Sequence, residues 1–434
     1  RRRGRARRGS RVVAGRTGAR SVAGGMKREK LEGFDGLRAI AALTVVTYHV
    51  ALSGKFAQVS SLAPLFWELK GGVAIFFVIS GALLYLPFAR SIRDCARLPD
   101  WRVYGRRRAV RILPAYWVAL TVVATPPFAA GVFGSHAWSY YGLSQIYDPR
   151  TVLGGLGVAW SLCVEVSFYA LLPVFAWLMA RMARRAGPRG RVSVQLACIG
   201  LAALASLVLR GEVAGSLSAP FYDNGQTLMV TLPGLLDWFA IGMALAVLRA
   251  ELEAGRASRF SLAALGRRPG ACVLLAFAAF VLAVPEQHGD MFLPWYGLET
   301  HLAIGVGAGL LVLAVIVPGA TGPRRWPLRV LGSRVAAWLG TISYGIYLWH
   351  FPALELIERA VLPRPESATV ASLALVWLAV VAAAVVLGAA SYYLVERPAR
   401  RLLNMPGRPG RNGETVQPQL DSLNSAGVAV DHLA

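Results

Sequence analysis

Charged residues are scarce in this sequence: only 16% of its 434 residues are Asp, Glu, Lys or Arg, against about 25% in an ordinary soluble domain. Hydrophobic residues make up 56%, and the mean hydropathy is +0.50. This combination excludes a disordered chain and an ordinary soluble enzyme. Cysteine is also sparse. Cys95, Cys163, Cys198 and Cys272 have no CxxC spacing, and three of them lie in apolar runs. They form no disulfide framework and no zinc site, no metal is expected, and they read as small buried apolar residues. Acids are few, 23 against 46 Lys and Arg, for a net charge of +23. The basic residues sit between long apolar runs, so they read as membrane-topology signals, and no nucleic-acid partner is expected. Period-two alternation is absent, which argues against a β-barrel. No internal repeat supports a transporter built from inverted repeats.

What the sequence does have is ten apolar runs of the length a bilayer core needs, roughly 17 to 25 residues of helix. They are approximately 37–52, 71–88, 112–133, 156–179, 192–209, 227–248, 271–284, 301–317, 335–357 and 369–394, the seventh being short. Backbone groups in lipid must pair internally, so the runs should be helices. With the N-terminus inside, alternate connecting segments hold 40 of the 46 basic residues and the others hold 6. That bias predicts an all-α, polytopic, multi-pass cell-membrane protein with about ten transmembrane helices and both termini cytoplasmic. Residues 1–26 are Arg- and Gly-rich with no apolar core, unlike a secretory signal. They are expected to be a disordered basic extension, with Met26 as a possible true start. Residues 405–434 are expected to be a disordered cytoplasmic tail, which leaves 27–404 as one membrane domain.

A charged side chain at a helix centre costs about 2.5–3.5 kcal/mol on insertion scales, so those inside spans are candidates for chemistry. Arg38 and His49 share the first run. Eleven residues at about 100° each bring them onto one face, roughly 16 Å apart along the axis. A snorkelling Arg and a satisfied buried His would explain the pair without chemistry. The sharper reading is an anion-holding Arg below a proton-handling His, in one channel. The fourth run contains Trp160 and then Ser161, Glu165 and Tyr169 at i, i+4, i+8. The ninth contains Ser343, Tyr344, Tyr347 and His350, of which Ser343, Tyr347 and His350 form one stripe. Pro352 should kink or end that helix. Before the third run, Arg106, Arg107, Arg108 and Arg111 form a basic inner loop. Arg108 and Arg111 are i, i+3 neighbours suited to clamp a phosphate, and Pro114 suits the first turn of the span. Ser80-Gly81 in the second run reads as helix packing. Glu396 and Arg397 read as an ion pair, and Asp237 has no assigned depth.

These motifs resemble the acyltransferase type 3 family of integral membrane O-acyltransferases. The resemblance rests on Arg38, ten residues and His49; on Arg108, Arg111, Ile112 and Pro114; on Trp160 to Tyr169; on Ser343 to His350; and on FFVISG, Phe76 to Gly81. It spans about residues 33–398. It implies transfer of an acyl group, mostly acetyl, from cytoplasmic acyl-CoA as co-substrate, with no bound cofactor. The implied acceptor is a hydroxyl of a sugar-containing molecule, such as a cell-surface glycan, glycolipid or macrolide-type metabolite. It also implies that Arg38 and His49 are essential.

The expected mechanism docks the donor phosphates at Arg108 and Arg111, with Arg38 guiding the arm. His49 is the general base, helped by Glu165 or by His350. Trp160, Ser161, Ser343, Tyr344 and Tyr347 support the site. An exporter of a glycan or small molecule, and a non-catalytic membrane scaffold, are the alternatives.

Overall fold

The computed structural model describes residues 33–53, 66, 68–128, 131–216, 224–256, 261–283, 297–317, 326–361 and 370–404. All of them fall in one compact unit within Leu31–Thr415. The expected arm 1–26 and tail 405–434 lie outside the described residues. Every regular element among the described residues is helical.

Helices lie in each of the apolar runs, although the one in the third run, 112–133, ends at Val123. They are α1 (Phe34–Ser53), α2 (Gly72–Arg93), α3 (Trp101–Val123), α4 (Trp160–Ala183), α5 (Pro188–Ser216), α6 (Leu232–Glu253), α7 (Pro269–Leu282), α8 (Leu298–Ile316), α9 (Arg334–Val361) and α10 (Val370–Ser391). Among the described residues, six segments are long and apolar enough to cross a membrane: Glu68–Arg93, Gly157–Ala183, Pro188–Glu212, Thr227–Glu253, Leu298–Ile316 and Ala371–Leu402. Of the other four helices, α7 has only 14 residues. The remaining three, α1, α3 and α9, carry ionisable residues: Arg38 and His49, five arginines, and His350 with Glu355 and Glu358.

Two helices depart from the sequence expectation. The third begins eleven residues early, at Trp101, because Asp100 caps it by accepting from the backbone N–H of Arg102 (2.7 Å) and Val103 (3.3 Å). Arg is a good helix former, so Arg106, Arg107, Arg108 and Arg111 are helical and not on a loop, and Pro114 lies in the helix interior. The helix stops before Pro126-Pro127, which cannot continue it. The ninth helix runs through Pro352 to Val361 as one 28-residue element, so Pro352 does not end it. A proline inside a membrane helix is tolerated where neighbours re-satisfy the backbone.

The core has two parts. α2 and α6 are central, and glycines let them touch: a Cβ on Gly81 would lie 2.2 Å from the Phe239 carbonyl, and one on Gly242 2.1 Å from that of Val78. Phe77 and Phe168 stack on either side of Phe239 at 4.6 and 4.2 Å. A second cluster joins α1, α9 and α10 through Ala42, Val46, Ile342, Ile346, Val376 and Val380. α5 and α10 turn large apolar side chains outward, including Leu201, Leu204, Leu375 and Val386, the surface a lipid-facing helix presents.

Polar contacts mark two opposite ends. At one, Arg90 near the end of α2 pairs with Glu253 at the end of α6 (2.7 Å), and Arg191 at the start of α5 donates to the Arg93 carbonyl (2.9 Å). At the other, Arg210 of α5 donates to the Gly234 carbonyl, and Thr300 of α8 donates to Ala283 after α7. Asp237 of α6 sits near this second end, buried between Ser206 (3.2 Å) and His301 Nε2 (2.8 Å). It ties three helices together and lies away from the cavity described next.

Candidate active site

A cavity of about 740 Å³, including its open mouth, is lined by α1, α2, α3, α4 and α9. Arg38, Arg108, Arg111, Ser161, Glu165, Tyr169, Tyr344 and Tyr347 all face it, together with Ser80 and an apolar wall that includes Phe76, Phe77 and Ile112. The i, i+4, i+8 stripe of α4 is thus presented as a unit.

The cavity's charge is lopsided. Three guanidiniums meet one carboxylate, Glu165, and Ser80 Oγ donates to that carboxylate at 2.5 Å. Ser80 is the residue that sequence reasoning assigned to packing. Its neighbour Gly81 does pack, but the hydroxyl turns to the site, where the half-buried Glu165 carboxylate accepts it. Arg108 Nε and the Tyr104 hydroxyl are buried with no hydrogen-bond partner among the described residues. A desolvated surplus of guanidinium donors is a site for an oxyanion.

Tyr344 donates to the Ile112 carbonyl (2.8 Å), pinning α9 to α3. Deeper in, the Tyr347 hydroxyl donates to the Val158 carbonyl (3.0 Å) and lies 2.7 Å from Ser161 Oγ. Phe76 stands edge-on to Tyr347, with ring centroids 6.0 Å apart. Tyr347 and Phe76 thus form one boundary of the cavity.

Both histidines lie outside the cavity lining. His350 is fully buried and its Nδ1 lies 2.7 Å from the Tyr347 carbonyl. Its Nε2 is 3.3 Å from His49 Nδ1, which in turn is 2.9 Å from the Val45 carbonyl. A carbonyl only accepts, so in the neutral rings each Nδ1 carries the proton. His350 Nε2 is then an acceptor facing the His49 N–H. His49 Nε2 is left with its lone pair and no partner among the described residues. Arg38 faces the cavity, and His49, which is not among its lining residues, meets His350 beyond Tyr347.

Two supporting candidates stand apart. Ser343 is buried and donates to its own helix at the Gly340 carbonyl (2.8 Å). Trp160 packs edge-on to Phe77 at 6.5 Å and does not line the cavity. Glu396 pairs with Arg400 at 2.8 Å, not with Arg397, whose guanidinium lies over the Tyr393 ring.

A family model described as "Acyltransferase domain" matches residues 31–393. The chain is 28% identical over 389 residues to a putative peptidoglycan O-acetyltransferase, YrhL, of Bacillus subtilis, covering 85% of this chain and 55% of that protein. It is 24% identical over 394 residues to the peptidoglycan O-acetyltransferase OatA of Listeria monocytogenes, covering 86% and 56%. A putative O-acetyltransferase of Staphylococcus aureus is 22% identical over 351 residues, covering 76% and 52%. The chain spans about half the length of these curated relatives. No solved structure matches it.

Proposed function

The chain belongs to the acyltransferase domain family, and from that premise we propose that it is an integral membrane O-acetyltransferase. It takes an acetyl group from cytoplasmic acyl-CoA and places it on a hydroxyl of a cell-surface glycan. Peptidoglycan, named for two of the relatives, is the first acceptor to try. The reading includes ten spans, both termini cytoplasmic, and residues 27–404 as the acyltransferase domain. Arg90, Arg93 and Arg191 meeting at one end supports that alternation.

The observation that carries the proposal is a guanidinium-rich cavity bounded by Tyr347, behind which the Val45 carbonyl sets the tautomer of His49 and His350 Nε2 faces its Nδ1. Donor phosphates bind Arg108 and Arg111, and Arg38 guides the pantetheine arm past them. The acyl thioester reaches the Phe76–Tyr347 boundary. His49 Nε2 takes the proton of the acceptor hydroxyl, whose oxygen attacks the thioester carbonyl. The C–S bond breaks, the thiolate leaves with coenzyme A, and His49 returns its proton to that sulfur. General base catalysis of this kind contributes about 10²–10⁴-fold. Glu165, tethered by Ser80, balances the arginines and keeps the empty cavity folded.

The test uses purified protein in lipid nanodiscs with radiolabelled acetyl-CoA and peptidoglycan fragments. The proposal expects label in an alkali-labile ester on the glycan and stoichiometric release of free coenzyme A thiol. Movement of the glycan across a vesicle membrane without thiol release would overturn it.

A further inference from the structure

α10 does not end as a plain α-helix. It passes into a π-helical turn, Tyr392–Glu396, and then into the helix Arg397–Asn404. A π turn inserts an extra residue and re-aims the side chains that follow, and such turns are frequent at functional sites. Here it buries Tyr392 and Glu396 while leaving Tyr393 and Leu394 exposed. This turn and the helix after it pack on α3, the helix that carries Arg108 and Arg111.

Glu396 is 1% exposed. One carboxylate oxygen accepts from Arg400 at 2.8 Å, and the other is buried with no partner among the described residues. Its charged neighbours are Arg400, Arg111 and Arg38, the last two of which line the cavity. Arg400 is also underused. Its Nε is buried and unpaired, and its guanidinium lies over the Tyr392 ring at 5.5 Å. A buried carboxylate using one oxygen, beside guanidiniums with donors to spare, is a poor structural ion pair and a good stand-in for a ligand.

We infer that Glu396 is an internal counter-ion holding the place of a donor phosphate, and that Arg400 is a further phosphate-binding residue that Glu396 releases when the donor arrives. The inference rests on the proposed acyl-CoA reading and adds a competitor to it. An incoming phosphate offers oxygens to the unused donors of Arg400, Arg108 and Arg111. It also pushes the like-charged Glu396 away. The π turn supplies the local freedom for that movement. Donor affinity is thus held down in the empty protein by a group that contacts no substrate.

The experiment measures binding of coenzyme A, with pantetheine as the phosphate-free control, to the full chain in nanodiscs. Glu396→Gln should bind coenzyme A more tightly, and Arg400→Gln about tenfold more weakly, with pantetheine unchanged in both. Glu396→Asp, which withdraws the carboxylate by one methylene, should tighten binding by an intermediate factor and serves if Glu396→Gln does not fold. Unchanged or weakened coenzyme A binding in the Glu396 variants would overturn the inference, even if the wild type prefers coenzyme A to pantetheine. A wild type that does not distinguish the two ligands would overturn the donor reading itself.

Discussion

His350 Nε2 faces His49 Nδ1 at 3.3 Å, and the Nδ1 of each ring is satisfied by a carbonyl of its own helix. Two residues 301 positions apart thus share one proton arrangement, which leaves Nε2 of His49 unprotonated. The role of His350 is to position His49, and its removal has a defined signature. His350→Ala should lower the transfer rate by roughly 10- to 100-fold. Coenzyme A affinity should not move, because His350 does not line the cavity. His350→Gln, which keeps an acceptor, should recover part of the rate, as single-turnover assays would measure.

Ser80 supplies the 2.5 Å hydrogen bond to Glu165. Ser80→Ala leaves a half-buried carboxylate short of a donor, which costs about 1 kcal/mol. The expected result is a lower melting temperature in detergent, and Glu165→Gln added to Ser80→Ala should restore part of the loss.

Arg108 and Arg111 face the cavity from α3. Replacing both with Gln should raise the KM for acetyl-CoA by about tenfold or more, as expected for charged hydrogen bonds to phosphate. kcat should change much less, since these contacts form equally in the ground and transition states. Steady-state kinetics with varied donor reads the split.

Gly81 and Gly242 let α2 and α6 meet backbone to backbone. Gly242→Val should abolish folded, monodisperse protein on size exclusion, because no side-chain movement relieves a clash with a carbonyl. Gly105 has nothing within 4 Å. Gly105→Ala should therefore stabilise the protein by about 0.8–1.0 kcal/mol of helix propensity and raise the melting temperature slightly.

The parts of this architecture legible in the sequence are those that repeat at helical spacing. Each of the ten apolar runs contains a helix, and Ser161, Glu165 and Tyr169 share one lining face because i, i+4, i+8 does not depend on partners. What escaped depends on partners. Ser80 read as packing because the carboxylate it serves is 85 residues away. Ser343 lies on the polar stripe of α9, yet its hydroxyl turns back to its own backbone. The early start of α3 was hidden because arginines depress hydropathy while favouring helix. The Glu396–Arg400 pair depends on a π turn, which a fixed period of 3.6 residues does not anticipate.

The central claim is that the unprotonated nitrogen of His49 accepts the acceptor's hydroxyl proton. Its most direct test is single-turnover transfer from radiolabelled acetyl-CoA by His49→Gln in nanodiscs, with coenzyme A binding measured on the same sample. The account predicts that transfer is lost while coenzyme A affinity is retained. Transfer at the wild-type rate by that variant would contradict it.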